Sequence, residues 1–295
     1  MTADSNDILQ PLSEQQMHLL LKVLENDFPS SIFIYNWIKK QLEWASKLPS
    51  MKVLILCPYG NWSDGTVIGI TYGLAVGKSF AAMYSPEKDG GKLKRALMRT
   101  KHVDWETLRH FSGVLDRHVP LCMEVLRAKG FQSSDKVRLN CNMHYVPKYE
   151  FSASLNLPTI PYGVRIGPLD VSHLDYVCDN WPLYTSDLRP VVSAMLELNP
   201  SVGVFVRNDD GEEELASMVL QSEYGGLGLL QTVPKHREQG YAALAVAYLT
   251  EVMGRLGFRT HGHTKLGNLR AQHLFQRAGF KIADQTNWIT LFKSH

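Results

Sequence analysis

The chain has 295 residues, 44% of them hydrophobic, and a formal net charge of +2. That length and composition describe a soluble globular protein of one large domain or two of ordinary size. The small charge gives no reason to expect a nucleic-acid or membrane partner, and the apolar run around Leu19, Leu20 and Leu21 is far too short to span a bilayer.

In chain order, Ser13 and Gln16 form a capping-box pattern ahead of a helix with Met17, Leu20, Leu21, Leu24 and Phe28 on one face. A second helix is expected over about 31–45, carrying Ile34, Trp37, Ile38 and Leu42. Lys52-Val-Leu-Ile-Leu-Cys57, Thr66-Val-Ile-Gly-Ile-Thr71 and Phe80-Ala-Ala-Met-Tyr84 read as strands, the first two joined through a Tyr-Gly-Asn turn. The basic run Lys94, Arg95, Arg99 and Lys101 reads as a solvated helix face, since no aromatic or groove signature for nucleic acid accompanies it. Leu121-Cys-Met-Glu-Val-Leu-Arg-Ala-Lys-Gly-Phe131 gives a helix closed by Gly-Phe, and a strand follows over 137–146. Residues 149–161, with Ser152, Ser154 and two prolines, read as a linker between domains at 1–150 and 160–295. Tyr162-Gly-Val-Arg-Ile-Gly-Pro-Leu169 opens the second domain as strand and turn; helices are expected at 171–180 and 187–198, and strands at 202–207 and 214–221.

The next stretch carries the chemistry. Leu227-Gly-Leu-Leu-Gln-Thr-Val233 is an apolar strand, and Tyr241, Leu244, Ala245, Tyr248, Leu249, Val252, Met253 and Leu256 then recur at helical spacing. Between them lies Val233-Pro-Lys-His-Arg-Glu-Gln-Gly-Tyr-Ala242. A turn from strand to helix through Gly240 leaves backbone N–H groups unpaired at the positive end of the helix, a site for an anion such as pyrophosphate. Arg237 adds fixed charge, and Ala242 keeps the first turn slim. A short strand, Phe258-Arg-Thr-His-Gly-His-Thr264, leads to Asn268-Leu-Arg-Ala-Gln-His-Leu-Phe-Gln-Arg-Ala-Gly-Phe280, a helix capped by Asn268 and stopped by Gly279. Its Arg-Ala-Gly-Phe end echoes Arg-Ala-Lys-Gly-Phe131, which points to two diverged copies of one fold.

Strand, anion-binding turn, helix, strand, Asn-capped helix, Gly-Phe, strand: this order resembles the Gcn5-related N-acetyltransferase (GNAT) superfamily, whose signature is Arg/Gln-x-x-Gly-x-Gly/Ala. The likeness covers residues 162–295. Thr232-x-Pro234-x-x-Arg237-x-x-Gly240 and the strand ending in His263 look most like the glycine N-acyltransferase group. The resemblance implies an α+β fold with a mixed, splayed sheet flanked by helices, in two tandem copies of which the N-terminal is degenerate. It further implies an acyl-CoA-dependent N-acyltransferase using acetyl-CoA or another acyl-CoA, without a metal, on a small amine or an amino acid such as glycine. A peptide or protein N-acetyltransferase and a non-catalytic acyl-CoA-binding protein are the alternatives.

By that resemblance, backbone groups of Gln231 and Val233 pair with the pantetheine and a strand N–H near Leu230 polarises the thioester carbonyl. Arg237, Glu238, Gln239, Gly240, Tyr241 and Ala242 hold the pyrophosphate, and Asn268 contacts the pantetheine arm. Two family groups are missing. The glutamate that the group carries six residues before the Thr of Thr-x-Pro is Gly226 here, and the helix tyrosine that protonates the leaving thiolate is Phe275. His263, expected to titrate near neutral pH, and Glu223, three residues before Gly226, are the candidate bases.

Cys57, Cys122, Cys141 and Cys178 are widely spread with no Cys-x-x-Cys pair, and Met1-Thr-Ala-Asp-Ser-Asn-Asp7 is unlike a secretory or Arg-rich mitochondrial leader. Reduced thiols in the cytoplasm are expected, although the family resemblance also allows a mitochondrial protein. Cys141-x-x-His144 and His261-x-His263 have loosely metal-like spacing but no second pair nearby, so no zinc is expected. Asn61-Trp-Ser63 reads as a chance glycosylation sequon.

Overall fold

The computed structural model of the chain describes residues 7–147, 157–181, 184–208 and 210–294. Most of the linker read at 149–161 therefore lies outside the described residues. The chain divides into two compact units, one of Met1–Asn142 with Ala283–His295, the other of Met143–Ile282.

The first unit begins with strand β1 (Leu9–Pro11) and helices α1 (Glu14–Glu25) and α2 (Ile32–Lys47). The capping box forms as expected: Ser13 Oγ accepts from the Gln16 N–H at 3.3 Å, and Gln16 Oε1 accepts from the Ser13 N–H at 2.9 Å. Strands β2 (Lys52–Pro58), β3 (Val67–Ala75) and β4 (Lys78–Tyr84) follow as an antiparallel meander. Helix α3 (Gly91–Arg99) then crosses to β5 (Leu108–Leu115), which runs parallel to β4. Leu93, Ala96 and Leu97 are the buried face of α3, so its basic residues lie on the other side.

Strand β5 was not expected, because Arg109, His110, Ser112 and Gly113 break its apolar pattern. Gly113 has φ of +63°, and a Cβ there would stand 2.4 Å from the Phe33 ring, so close packing explains the residue. Helix α4 (Val119–Ala128) and strand β6 (Arg138–Tyr145) complete the first half of the sequence. The core gathers Leu56, Ile68, Ile70, Met83, Leu97, Phe111, Val114, Leu126 and Phe131.

The second unit repeats this plan. Strand β7 (Val164–Gly167) precedes helices α5 (Leu174–Asn180) and α6 (Arg189–Leu198). Strands β8 (Ser201–Arg207), β9 (Glu213–Gln221) and β10 (Leu227–Thr232) form the antiparallel meander. Helix α7 (Tyr241–Arg255) crosses to β11 (His261–Lys265), parallel to β10, and helix α8 (Leu269–Arg277) leads to the last strand, β12 (Lys281–Thr290). Leu244, Ala245, Leu249 and Met253 of α7 are buried as the spacing predicts; Val252 and Leu256 are exposed, and Val246 and Thr250 take the inner positions instead. The short strand expected from Phe258 starts only at His261.

The last strands exchange places. Strand β12 does not stay with residues 160–282 as the sequence division had it: from Ala283 onward it belongs to the first unit, antiparallel to β5, with Asn287 opposite Val114 and Ile289 opposite Phe111. The end of β6, from Met143, belongs to the second unit beside β11. There His144 Nε2 meets Thr264 Oγ1 at 2.7 Å and the Val146 N–H donates to the Thr260 carbonyl at 3.0 Å. The strand order β1-β2-β3-β4-β5-β12 is thus matched by β7-β8-β9-β10-β11-β6.

The helix ends match as well. Phe131 N–H donates to the Leu126 carbonyl at 2.9 Å after Gly130, and Phe280 N–H to the Phe275 carbonyl at 3.0 Å after Gly279, both glycines being left-handed. Among the described residues no helix is long and apolar enough to cross a membrane, and all four cysteines are buried free thiols.

Candidate functional site

The turn between β10 and α7 is built by local chemistry. Pro234 opens one 3-10 turn, Pro234–His236, and Glu214 on β9 clamps it from the side. Its carboxylate accepts from Lys235 Nζ at 2.6 Å and meets His236 Nε2 at 2.7 Å. Glu238 and Gly240 then take left-handed backbone, with φ of +66° and +82°. Gly240 is the N-cap of α7 and brings no capping side chain, so the first N–H groups of the helix have no partner within it. A Cβ added at Gly240 would meet nothing within 4 Å. The space beside Gly240 is therefore open, and unpaired N–H groups at the start of a helix are donors of the kind that attract anions. Arg237, Gln239 and Gly240 are exposed at its rim, and Arg270 from the first turn of α8 stands 3.6 Å from Glu238.

Upstream, β10 is bent. Its register against β9 slips between Gly228 and Gln231, so that Leu229 and Leu230 stand opposite the single residue Val219. Leu229 takes φ of +53°, an unusual state for a leucine that the bulge imposes. On its other side β10 is in register with β11 at Leu227 opposite Gly262. The N–H of Leu230 lies in this bulge. Val233 is differently placed: its N–H donates to the Ala216 carbonyl at 2.9 Å and its carbonyl accepts from the His236 N–H at 2.9 Å. The Gln231 carbonyl accepts from Ser217 Oγ at 2.9 Å. The Val233 N–H and one lone pair on each of these two carbonyls are thus engaged within the protein before any further strand-like partner is added.

Around the start of β10 the side chains form an aromatic and imidazole cluster. Tyr224 and His261 each meet the His263 ring edge-on at 5.5 Å, and Tyr224 meets His261 at 5.8 Å. Tyr224 donates to the Leu227 carbonyl at 3.1 Å. Burial pushes the half-buried Glu223 carboxyl up to about 7. The same effect, reinforced by the neighbouring His261 and His144, holds His263 well below the usual histidine value. Burial also lowers His261 and His144, each to about 4. The expectation that His263 titrates near neutral pH is therefore corrected: it is neutral there. Asn268 Oδ1 caps α8 by accepting from the Ala271 N–H at 3.2 Å. Phe275 is buried, packed edge-on against Phe280 at 4.9 Å and over His144 at 5.1 Å. Among the described residues no three His, Cys, Asp or Glu side chains converge on a metal position.

Known proteins carry the same architecture. A family model described as FR47-like protein matches residues 201–289, and one described as Domain of unknown function (DUF5645) matches residues 8–125. A solved Drosophila protein is 22% identical, covering 97% of this chain and 99% of its own, with a TM-score of 0.80. A tandem GNAT protein from the clavulanic acid biosynthesis pathway is 13% identical over 97% of this chain and 99% of its own, with a TM-score of 0.51. This is a tandem GNAT fold. No curated protein sequence matches the chain.

Within the GNAT frame the departures acquire a physical form. At Gly226 a Cβ would stand 2.6 Å from the Tyr224 ring and 2.8 Å from His261 Nε2, so the two rings fill the space a side chain there would need. At Gly262 a Cβ would stand 2.8 Å from the Phe275 ring, which fixes Phe275 as the packing between α8 and β11. Sequence reasoning missed Glu214 and Tyr224, and read His144 only for its loosely metal-like spacing with Cys141. The Glu214 clamp has no local signal, and His144 reaches β11 from 120 positions away.

Proposed function

We propose that the second unit is an acyl-CoA-dependent N-acyltransferase, carrying an acetyl or longer acyl group from a CoA thioester to the amine of a small molecule or an amino acid such as glycine. The observation that carries the reading is one continuous run of chain. It holds, in order, a carboxyl raised to about 7 at Glu223, a bulge at Leu229 and Leu230, and an open anion turn at Gly240.

The turn donors and Arg237 anchor the diphosphate, and Arg270 is near enough to join them. The Leu230 N–H takes the thioester oxygen as negative charge builds on it. Glu223, its carboxyl raised by burial to about 7, accepts the proton that the attacking amine must lose. The new C–N bond forms as the C–S bond breaks; the CoA sulfur leaves as thiolate, and the proton on Glu223 returns to solvent. His263, already neutral, is too weak a base to lead and orients the acceptor amine instead. Phe275 offers no proton to the thiolate, so no side-chain acid is assigned.

Turnover of acyl-CoA with a panel of amines tests this. The rate should rise with pH through a single ionisation near 7. Glu223→Gln should lower kcat by about 10²–10⁴-fold and leave CoA affinity unchanged. His263→Ala should lower turnover by less and keep the ionisation. A wild type that binds CoA yet turns over with no amine would support the acyl-CoA-binding protein, the reading that Gly226 and Phe275 favour.

A further inference from the structure

We infer, resting on the reading of the α7 turn as the CoA anchor, that Glu214 on β9 is a positioning residue for that cofactor. It touches no part of CoA; by holding His236 and Lys235 it sets the aim of the N–H groups that follow them. The chain is tied to β9 step by step as it leaves β10. Ser217 Oγ donates to the Gln231 carbonyl at 2.9 Å, and the Val233 N–H donates to the Ala216 carbonyl at 2.9 Å. Glu214 then accepts from Lys235 Nζ at 2.6 Å and meets His236 Nε2 at 2.7 Å. Among the described residues these are the last ties to β9. The next four, Arg237, Glu238, Gln239 and Gly240, are exposed, and Glu238 and Gly240 take left-handed backbone. Glu214 is thus the last fixed point before the anion donors.

Both partners of Glu214 pass the hold forward into the turn. The Lys235 carbonyl accepts from Gln239 Nε2 at 3.4 Å, and the His236 ring meets the Tyr241 ring edge-on with centroids 6.2 Å apart. Tyr241 is the first residue of α7, and its N–H is one of those without a partner inside the helix. The two halves of the clamp differ in weight. Lys235 is exposed, and an ion pair in water holds little. His236 is only 13% exposed, and a carboxylate only accepts, so its Nε2 carries the hydrogen of a charge-assisted bond. The path from Glu214 through His236 to Tyr241 therefore does the holding. Charge by itself acts the other way. A carboxylate beside the turn repels a polyanion, so what Glu214 gives the site is position.

Calorimetry with CoA and steady-state turnover of the full chain test this. Glu214→Ala should weaken CoA binding about tenfold and raise KM for acyl-CoA by the same factor, with kcat at saturation unchanged. Glu214→Gln keeps an acceptor oxygen for His236 and loses the charge, and should stay within about threefold of the wild type. A pure charge effect gives the reverse, tighter CoA in both variants, and that result would overturn the inference. His236→Ala should reproduce the loss, and it stands in if Glu214→Ala does not fold. Adding Glu214→Ala to His236→Ala should weaken CoA no further, because both act along one path; additive losses would count against it. A lower melting temperature in Glu214→Ala with CoA affinity and KM unchanged would make Glu214 a strand contact only, and would overturn the positioning role. A wild type that binds no CoA would overturn the reading of the turn itself. A wild type that binds CoA, with Glu214→Ala and His236→Ala binding it equally well, would overturn this inference alone.

Discussion

Burial acts in opposite senses on the two ionisable side chains beside the bulge. It keeps a proton on Glu223 up to about 7 and keeps one off His263. Glu223 also makes stability depend on pH. The folded carboxyl releases its proton only near 7, whereas the unfolded one does so near its ordinary value of 4.5. Between those limits the folded state binds more protons, so stability falls as pH rises through the window and is level above it. Glu223→Gln removes this loss. Its melting temperature should gain on the wild type from pH 5 to pH 8 in parallel thermal scans, and a constant difference would count against a raised carboxyl. At the sequence level Glu223 was a candidate base only by its place three residues before Gly226. Its environment comes from β10 folding back beside β9 and β11, which no local pattern records.

The turn and its helix are the element most open to reading, because glycine, proline and cap preferences act within a few residues. The capping box at Ser13, the stop at Gly279 and the Asn268 cap are of the same kind. Strand β5 and the bulge at Leu229 were not legible, since burial by neighbours rather than alternation decides them. Two substitutions separate the roles inside the turn. Arg237→Ala, an exposed cation lost, should weaken CoA binding by about 1–3 kcal/mol in calorimetry and leave the melting temperature unchanged. Gly240→Ala meets no neighbour, but its left-handed backbone should cost about 1–2 kcal/mol of stability by denaturant titration. Phe275→Ala should cost about 3–5 kcal/mol, because the ring is the buried contact of α8 with His144 and Phe280.

At the scale of the molecule, the echo between Gly130-Phe131 and Gly279-Phe280 announced the duplication, but nothing local announced the exchange of last strands. Pairing partners of a strand are chosen by the whole fold, and β6 and β12 read alike in isolation. The exchange changes which fragments can stand alone. Residues 160–295 lack the end of β6 and carry β12 without β5, so that fragment should be poorly folded by circular dichroism. Residues 143–282 keep β6 beside β11 and all of the α7 turn, and should retain CoA affinity. Equal behaviour of the two fragments would show that the end of β6 adds nothing to the second unit.

The crossing also sets an order of events in the cell. A ribosome delivers β1 to β5 early, yet the strand that pairs with β5 lies in Ala283–His295. Until those residues emerge, one side of β5 stays uncovered, and Phe111 and Val114 wait for Ile289 and Asn287. The half of the protein that is made first is thus the half that is finished last. A nascent chain stalled before Ala283 is the form that chaperones would have to hold.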